Sequence, residues 1–239
     1  MKVCSMPDIY IIGDSTVQAG GAPFYGWGSQ LQHFCRKDVP VYNHARSGES
    51  SRSFLERELF EPVREHIRRD DLLLIQFGHN DEKDDPERHT DPQGSFMDFL
   101  SIYLDAAQQN KARAALVTPV CRRHFLADGS LLYTHGEYPL AVRHLAKQRG
   151  IPCIDLKKMS RELFLSLGRE GTARLFVQIP AGGHPDFPQG HDDLTHFCLH
   201  GARRIAFLAA SAIAAEKTLR DMIDPRRIEE ERLQQEAIC

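Results

Sequence analysis

Short apolar runs, each followed by polar residues and then by a longer stretch with helical spacing, constrain the fold of this chain more than any other feature. Several of these runs lack the polar alternation of half-exposed strands, which is typical of a parallel sheet covered by helices on both faces. The pattern therefore predicts an α/β domain. The predicted strands are 9–12, 39–42, 72–77, 114–120 and 151–154. The predicted helices lie near 28–35, 54–68, 95–109, 138–149, 160–167 and 201–217.

No repeat or low-complexity linker divides the chain, so the sequence predicts one domain over residues 1–220 and a charged helical tail over 221–239. Runs of charge usually face solvent, which favours a solvated tail. The alternative is that the tail forms a contact in a homodimer. The irregular stretch 79–94 is rich in Asp, Glu, Pro and His, and long loops of this kind often carry function.

Charge and apolar content exclude several classes of protein. The chain has 30 Lys plus Arg against 33 Asp plus Glu, a net charge of −3, whereas a nucleic-acid module needs a dominant basic field. No apolar stretch approaches the roughly 20 residues that span a bilayer, so no membrane partner is expected. The first apolar run is too short for a signal peptide, and the six cysteines are scattered. We therefore expect a cytoplasmic protein with reduced thiols.

The first chemical signal is Gly13-Asp14-Ser15, which directly follows the first predicted strand. This order places Ser15 at the carboxyl end of a strand, where open α/β sheets bind ligands. The alternative is that Ser15 only caps the next helix, a common role for serine.

The second signal is Asp193-Leu194-Thr195-His196, just ahead of the final predicted helix. An aspartate three residues before a histidine can hold the imidazole by Nδ1 and leave Nε2 free as a base. Asp192 is a competing partner for His196, and hydrogen-bond geometry decides between them. A serine that needs a base and an oriented histidine occur together by chance much more rarely than either pattern occurs alone.

The third signal supplies donors for an oxyanion. Asn80 follows the predicted strand 72–77, and Gly48 follows the predicted strand 39–42. A glycine lets a backbone N–H approach a ligand closely, and an amide side chain adds a further donor.

Together these stretches resemble the SGNH, or GDSL-type, hydrolases. Gly13-Asp14-Ser15, Gly48, Gly78-His79-Asn80-Asp81 and Asp193-Leu194-Thr195-His196 match four family blocks in the family's order. The stretches GDSTVQ, GHNDEKDDPERHTDPQGSF and VTPVCRRHF, with Asn43 to Phe54, are similar to the rhamnogalacturonan acetylesterase-like branch. The matching stretches span most of the chain, from residue 9 to residue 206.

The resemblance implies a single flavodoxin-like α/β/α domain of three layers that deacetylates a pectin-type oligosaccharide without metal or other cofactor. It places the nucleophile on Ser15, the base on His196 and the orienting acid on Asp193. It places the oxyanion donors on the backbone of Ser15 and Gly48 and on the side chain of Asn80. One departure is Cys198, where the family commonly carries a small polar residue, and it bears on the helix cap more than on chemistry.

Three other features have alternative interpretations. The twelve histidines suggest a metal site, but no H-E-x-x-H or paired C-x-x-C motif accompanies them. Arg122 and Arg123 either bind substrate uronate groups or neutralise local carboxylates, and the former is slightly favoured. Trp27 either stacks on sugar or plugs the sheet edge.

We therefore expect a carbohydrate acetylesterase that uses a Ser-His-Asp acyl-enzyme route. The alternatives are a lipase or thioesterase with the same site, and a non-catalytic carbohydrate-binding relative.

Overall fold

The computed structural model describes residues 6–236, and its centre is a five-stranded parallel sheet in the order β2-β1-β3-β4-β5. The strands are β1 Ile9–Gly13, β2 Val41–Asn43, β3 Leu72–Gln76, β4 Arg113–Val117 and β5 Cys153–Ile154. In this order the topological switch point lies beside β1, where open α/β sheets bind ligands at the carboxyl ends of the strands.

Helices cover both faces of the sheet. They are α1 Ser51–Glu56, α2 Glu61–His66, α3 Ser95–Gln109, α4 Tyr138–Arg149, α5 Leu156–Ala173, α6 Leu199–Ala215 and α7 Pro225–Glu236, with 3-10 helices at Trp27–Phe34 and Arg220–Met222.

Successive side chains of β1 point to opposite faces, so the sheet supports two apolar cores. Ile9 and Ile11 pack with the first 3-10 helix, α5 and α6. Tyr10 and Ile12 pack with α1, α2, α3 and α4. The predicted three-layer α/β/α architecture is confirmed.

Helices α3 and α4 begin and end where their periodicity predicts, but the single helix predicted over 54–68 is wrong. The structure divides this segment into α1 and α2. Pro62 would clash with the carbonyl of residue 58 in a continuous helix and has no N–H to donate. Glu58 instead takes a left-handed conformation with φ of 57°, which turns the chain between the two helices.

An antiparallel hairpin of β6 Phe176–Ile179 and β7 His191–Phe197 was not predicted. β7 contains the Asp-x-x-His stretch, for which the sequence predicted only a position just ahead of the last helix. Its residues HDDLTHF are mostly polar, so they give no apolar alternation that would indicate a strand.

Residues 221–236 pack against the domain instead of being solvated along their length, and residues 237–239 of the predicted tail lie outside the described residues. Met222 is fully buried, and Ile228 of α7 is 7% exposed in the core formed with α6. Glu231 of α7 forms an ion pair with Arg203 of α6 at 2.8 Å. Among the residues described, no helix has the length and apolar character needed to cross a bilayer.

Candidate active site

Three turns that follow β1, β2 and β3 are tied together at the carboxyl edge of the sheet. Ser15 lies in the first turn. In the second, Ser47 donates its backbone N–H to the side-chain oxygen of Gln18 at 2.9 Å, which joins it to the first. In the third, Asn80 donates from Nδ2 to the carbonyl of Glu49 at 2.8 Å, which joins it to the second. The three segments singled out by sequence therefore meet.

The turn that carries Ser15 is held by a buried carboxylate. Asp14 accepts hydrogen bonds from the backbone N–H and the hydroxyl of Thr16 at 2.9 and 2.7 Å, and its other oxygen lies 3.1 Å from Nδ1 of His79. Burial raises the pKa of Asp14, but His79 and the Thr16 hydrogen bonds outweigh it and lower that pKa overall. The preceding Gly13 permits close strand packing, because a Cβ there would lie 2.5 Å from the Gln76 carbonyl oxygen.

Ser15, His196 and Asp193 form a continuous hydrogen-bonded chain. The hydroxyl of Ser15 lies 3.0 Å from Nε2 of His196, and Nδ1 of the same ring lies 2.8 Å from Oδ2 of Asp193. When Nδ1 carries the hydrogen and donates it to the carboxylate, Nε2 is left as an acceptor for the serine hydroxyl. The ring is thus placed to receive the Ser15 proton.

Four hydrogen bonds hold the Asp193 carboxylate. Oδ1 accepts from the backbone N–H groups of Thr195 and His196 at 2.6 and 2.8 Å. Oδ2 faces Nδ1 of His196 and, at 3.0 Å, Nε2 of His191. Burial raises the pKa of Asp193, but these hydrogen bonds more than compensate and hold the pKa well below its ordinary value. The carboxylate therefore stays ionised beside His196.

Asp192, the competing partner, faces away from the histidine. Its carboxylate binds the guanidinium of Arg123 and the side-chain amide of Gln178, and its side chain is 66% exposed. Of the two adjacent aspartates, the structure brings Asp193 alone into contact with His196.

The expected oxyanion donors Gly48 and Asn80 lie in the turns after β2 and β3 and are not among the residues that line the cleft at Ser15. Gly48 has φ of 83°, a left-handed conformation that glycine adopts without strain. Asn80 is buried, and its bond to Glu49 uses one of the two hydrogens of the amide and fixes the amide plane. The neighbouring Asp81 is fully buried and accepts the backbone N–H of Gly78 at 2.9 Å, which closes the turn around Asn80.

A cleft of about 370 Å³ opens at Ser15 and has an aromatic wall. The ring of Phe24 meets that of His196 edge-on at 5.8 Å. Phe187 stacks on His191 with ring centroids 4.6 Å apart. The residues that line the cleft are Ser15, Gln18, Phe24, Ser47, Phe187, His191, Asp193 and His196.

Of the two roles left open for Trp27, stacking on a sugar is contradicted by its burial. Its side chain is fully buried, and the indole N–H donates to the side-chain oxygen of Gln76 at 2.9 Å. Trp27, the first residue of the first 3-10 helix, therefore belongs to the core.

Arg122 and Arg123, expected to receive substrate carboxylates, already bind carboxylates of the protein. Arg122 pairs with Glu82, and Arg123 pairs with Asp192. Arg123 is 7% exposed, and its guanidinium lies over the ring of Phe176 at 5.7 Å. Neither arginine lines the cleft at Ser15, so the geometry favours the neutralising role that the sequence left as the alternative.

Cys198 occupies the N-cap of α6 and makes no side-chain capping bond there; its thiol instead lies 3.3 Å from the carbonyl of Arg174. The departure from the family pattern thus affects the helix start. Within residues 6–236, no group of three or more His, Cys, Asp or Glu side chains is arranged to hold a metal ion.

Five residues that line the cleft were not named as site residues from the sequence: Gln18, Phe24, Ser47, Phe187 and His191. Phe24 and Phe187 lie in irregular segments with no motif around them. His191 lies two residues before Asp193, a spacing that places two side chains on the same face only if the segment is a strand. Had a strand been predicted over 191–197, the contact of His191 with Asp193 would have been expected.

Comparisons with known proteins agree on one relationship. The model of the "GDSL-like Lipase/Acylhydrolase family" matches residues 11–194. Rhamnogalacturonan acetylesterase RhgT of Bacillus subtilis is 40% identical over 86% of this chain and 88% of its own length. The probable rhamnogalacturonan acetylesterase YesY of the same organism is 34% identical over 86% of this chain and 91% of its own length.

Solved structures share the fold. That of the protein YxiM of Bacillus subtilis superposes with a TM-score of 0.75 at 26% identity, covering 87% of this chain and 56% of that longer chain. The acetyl xylan esterase AlAXEase superposes with a TM-score of 0.60 at 17% identity, covering 86% of this chain and 98% of its own.

Proposed function

Because the chain belongs to the GDSL-like lipase and acylhydrolase family, and is thus an esterase, we propose that it removes O-acetyl groups from rhamnogalacturonan-type oligosaccharides by a Ser-His-Asp acyl-enzyme route. The observation that carries the mechanism is the chain from the Ser15 hydroxyl through His196 to Asp193, at 3.0 and 2.8 Å, which opens on the cleft.

In the first half-reaction, the oxygen of Ser15 attacks the acetyl carbonyl carbon while His196 accepts the serine proton at Nε2. The Asp193 carboxylate stabilises the resulting imidazolium through Nδ1. The tetrahedral intermediate then expels the sugar oxygen, which receives from Nε2 the proton that Ser15 gave up. The product of this half-reaction is an acetyl ester on Ser15.

In the second half-reaction, water attacks the acetyl carbon while Nε2 of His196 accepts a proton from the water. Acetate then leaves as the same proton passes from Nε2 to the oxygen of Ser15. Each half-reaction passes through a tetrahedral intermediate that carries an oxyanion. Its proposed donors are the backbone N–H groups of Ser15 and Gly48 and the second hydrogen of the Asn80 amide, which act as the negative charge develops.

The substrate class rests on the relatives, since RhgT and YesY are 40% and 34% identical to this chain over most of its length and carry the name of rhamnogalacturonan acetylesterases. Arg122 and Arg123 carry no part of this assignment, because each binds a carboxylate of the protein. A cleft of about 370 Å³ beside Ser15 suits a small acyl group on a sugar.

The test is acetate release from acetylated rhamnogalacturonan oligosaccharides, acetylated xylan oligosaccharides and long-chain acyl esters, with Ser15→Ala as the control. We expect the fastest release from the rhamnogalacturonan substrate and none with Ser15→Ala. A preference for xylan would leave the esterase mechanism and refute the substrate class. A preference for long-chain esters would indicate a lipase, and no turnover of any ester would indicate a binding protein.

A further inference from the structure

A second histidine contacts the carboxylate that orients His196. Nε2 of His191 lies 3.0 Å from Oδ2 of Asp193, the same oxygen that faces Nδ1 of His196 at 2.8 Å. The two residues share a face of β7 because they are two positions apart. We propose that His191 is a positioning residue for the reaction, acting through Asp193; the inference rests on the proposed Ser-His-Asp mechanism.

The need for His191 follows from counting the acceptor sites of the carboxylate. An ionised carboxylate offers about four lone-pair sites. The backbone N–H groups of Thr195 and His196 occupy Oδ1, and the two imidazoles occupy Oδ2. His191 therefore fills the last site. Without it, that site would be open to water, because Asp193 lines the cleft.

A water molecule at this site would weaken the pairing of Asp193 with His196. Charge pairs are stronger where solvent is excluded, and a carboxylate hydrated on Oδ2 stabilises a neighbouring imidazolium less. The carboxylate would also lose one of the four hydrogen bonds that fix its plane. Both effects act on the protonated state of His196, which forms during turnover, so they should lower kcat more than they raise KM.

The His191 ring is held in the orientation that this role requires. Phe187 stacks on it at 4.6 Å with an interplanar angle of 27°, and Phe24 lies 6.2 Å away edge-on. Donation from Nε2 to the ionised Asp193 fixes the tautomer, with the hydrogen on Nε2. The ionisable groups in its contacts are thus Asp193 on β7 and, through the same oxygen, His196.

The experiment compares His191→Phe, which keeps an aromatic ring but removes the donor, with His191→Gln, whose amide nitrogen can reach the position of Nε2. With p-nitrophenyl acetate we expect His191→Phe to lower kcat about tenfold, the scale of a weakened hydrogen bond to a charged group, with KM nearly unchanged. The acid limb of the kcat/KM profile should move to lower pH, because the imidazolium loses stabilisation. His191→Gln should restore most of both.

His184→Phe is the matched control, since His184 also packs on Phe187, at 5.6 Å, but makes no contact with Asp193. It should keep the wild-type kcat and pH profile. If His191→Phe folds poorly, His191→Asn replaces it, because that amide is too short to reach Oδ2.

Two kinds of result separate this inference from the mechanism on which it rests. Hydrolysis that persists in Ser15→Ala would refute the proposed mechanism. If hydrolysis requires Ser15, then a wild-type kcat and acid limb in the donor-free variant would refute the role of His191. An effect confined to KM, or no recovery with Gln, would refute it equally.

Discussion

Replacing one oxygen of Asp193 by an amide group should disable the proposed base without removing any contact surface. Oδ1 accepts two backbone N–H groups at 2.6 and 2.8 Å, so in Asp193→Asn the amide oxygen must stay there. The new NH₂ group then takes the place of Oδ2 and faces Nδ1 of His196. Because an NH₂ group only donates, Nδ1 of His196 must accept its hydrogen bond. The ring hydrogen then moves to Nε2, which can no longer accept the Ser15 proton.

A histidine held in the wrong tautomer costs roughly 10⁴-fold in kcat in the well-studied serine proteases. That factor corresponds to about 5.5 kcal/mol of transition-state stabilisation. We expect Asp193→Asn to lose about 10³- to 10⁴-fold, because the same carboxylate-to-amide change meets the same ring nitrogen here.

Asp192→Asn is the matched control, since it makes the same change one residue earlier, where the carboxylate is 66% exposed and binds Arg123 and Gln178. Its kcat should stay close to that of the wild type. The assay is p-nitrophenyl acetate hydrolysis by both variants, with thermal unfolding to check that each folds. Equal losses, or a larger loss for Asp192→Asn, would refute the assignment of the orienting acid.

Three further predictions test other parts of the structure. Asn80→Ala should lower kcat about 100-fold or more with little change in KM, because an oxyanion donor acts as charge develops, and steady-state kinetics measures this. Burial, and then the charges of His79 and Lys157, hold the pKa of His135 well below 6.5 in the folded protein. The unfolded chain therefore binds the proton first, and the free energy of unfolding falls as the pH drops below 6.5, by up to about 1.4 kcal/mol per pH unit. His135→Asn should flatten this fall. Urea unfolding at pH 5 and 7.5 tests this, and an unchanged slope would contradict it. Trp27→Phe should lower the free energy of unfolding by about 1–3 kcal/mol, because the buried Gln76 oxygen loses its donor, while kcat is largely kept. A main effect on KM instead would favour the sugar-stacking role.

The sheet and the nucleophile turn were predictable because their signals are local. The runs at 9–12 and 72–77 are apolar enough to identify buried strands, and the motifs Gly13-Asp14-Ser15 and Gly78-His79-Asn80-Asp81 follow them directly. Residues at the carboxyl ends of neighbouring parallel strands meet at one edge, so sequence order alone indicated a shared site.

The features that sequence could not supply depend on tertiary contacts. β7 is a polar strand that pairs with β6 and, at Phe197, with Tyr25, and nothing in its composition distinguishes it from a loop. The burial of Trp27 follows from where the first 3-10 helix packs, and the pairing of Arg123 with Asp192 joins residues 69 positions apart. The role proposed for His191 became visible only once the strand geometry was known.

Ser15 is the proposed nucleophile, and site-specific labelling identifies the reacting serine without reference to any substrate. The folded protein is treated with a serine-reactive sulfonyl fluoride, and the adduct is located by peptide mass spectrometry while acetate release is followed in parallel. We expect one adduct, on Ser15, formed in proportion to the loss of activity and absent from Ser15→Ala. Full inactivation with the adduct on another serine, or acetate release that continues after Ser15 is fully labelled, would contradict it.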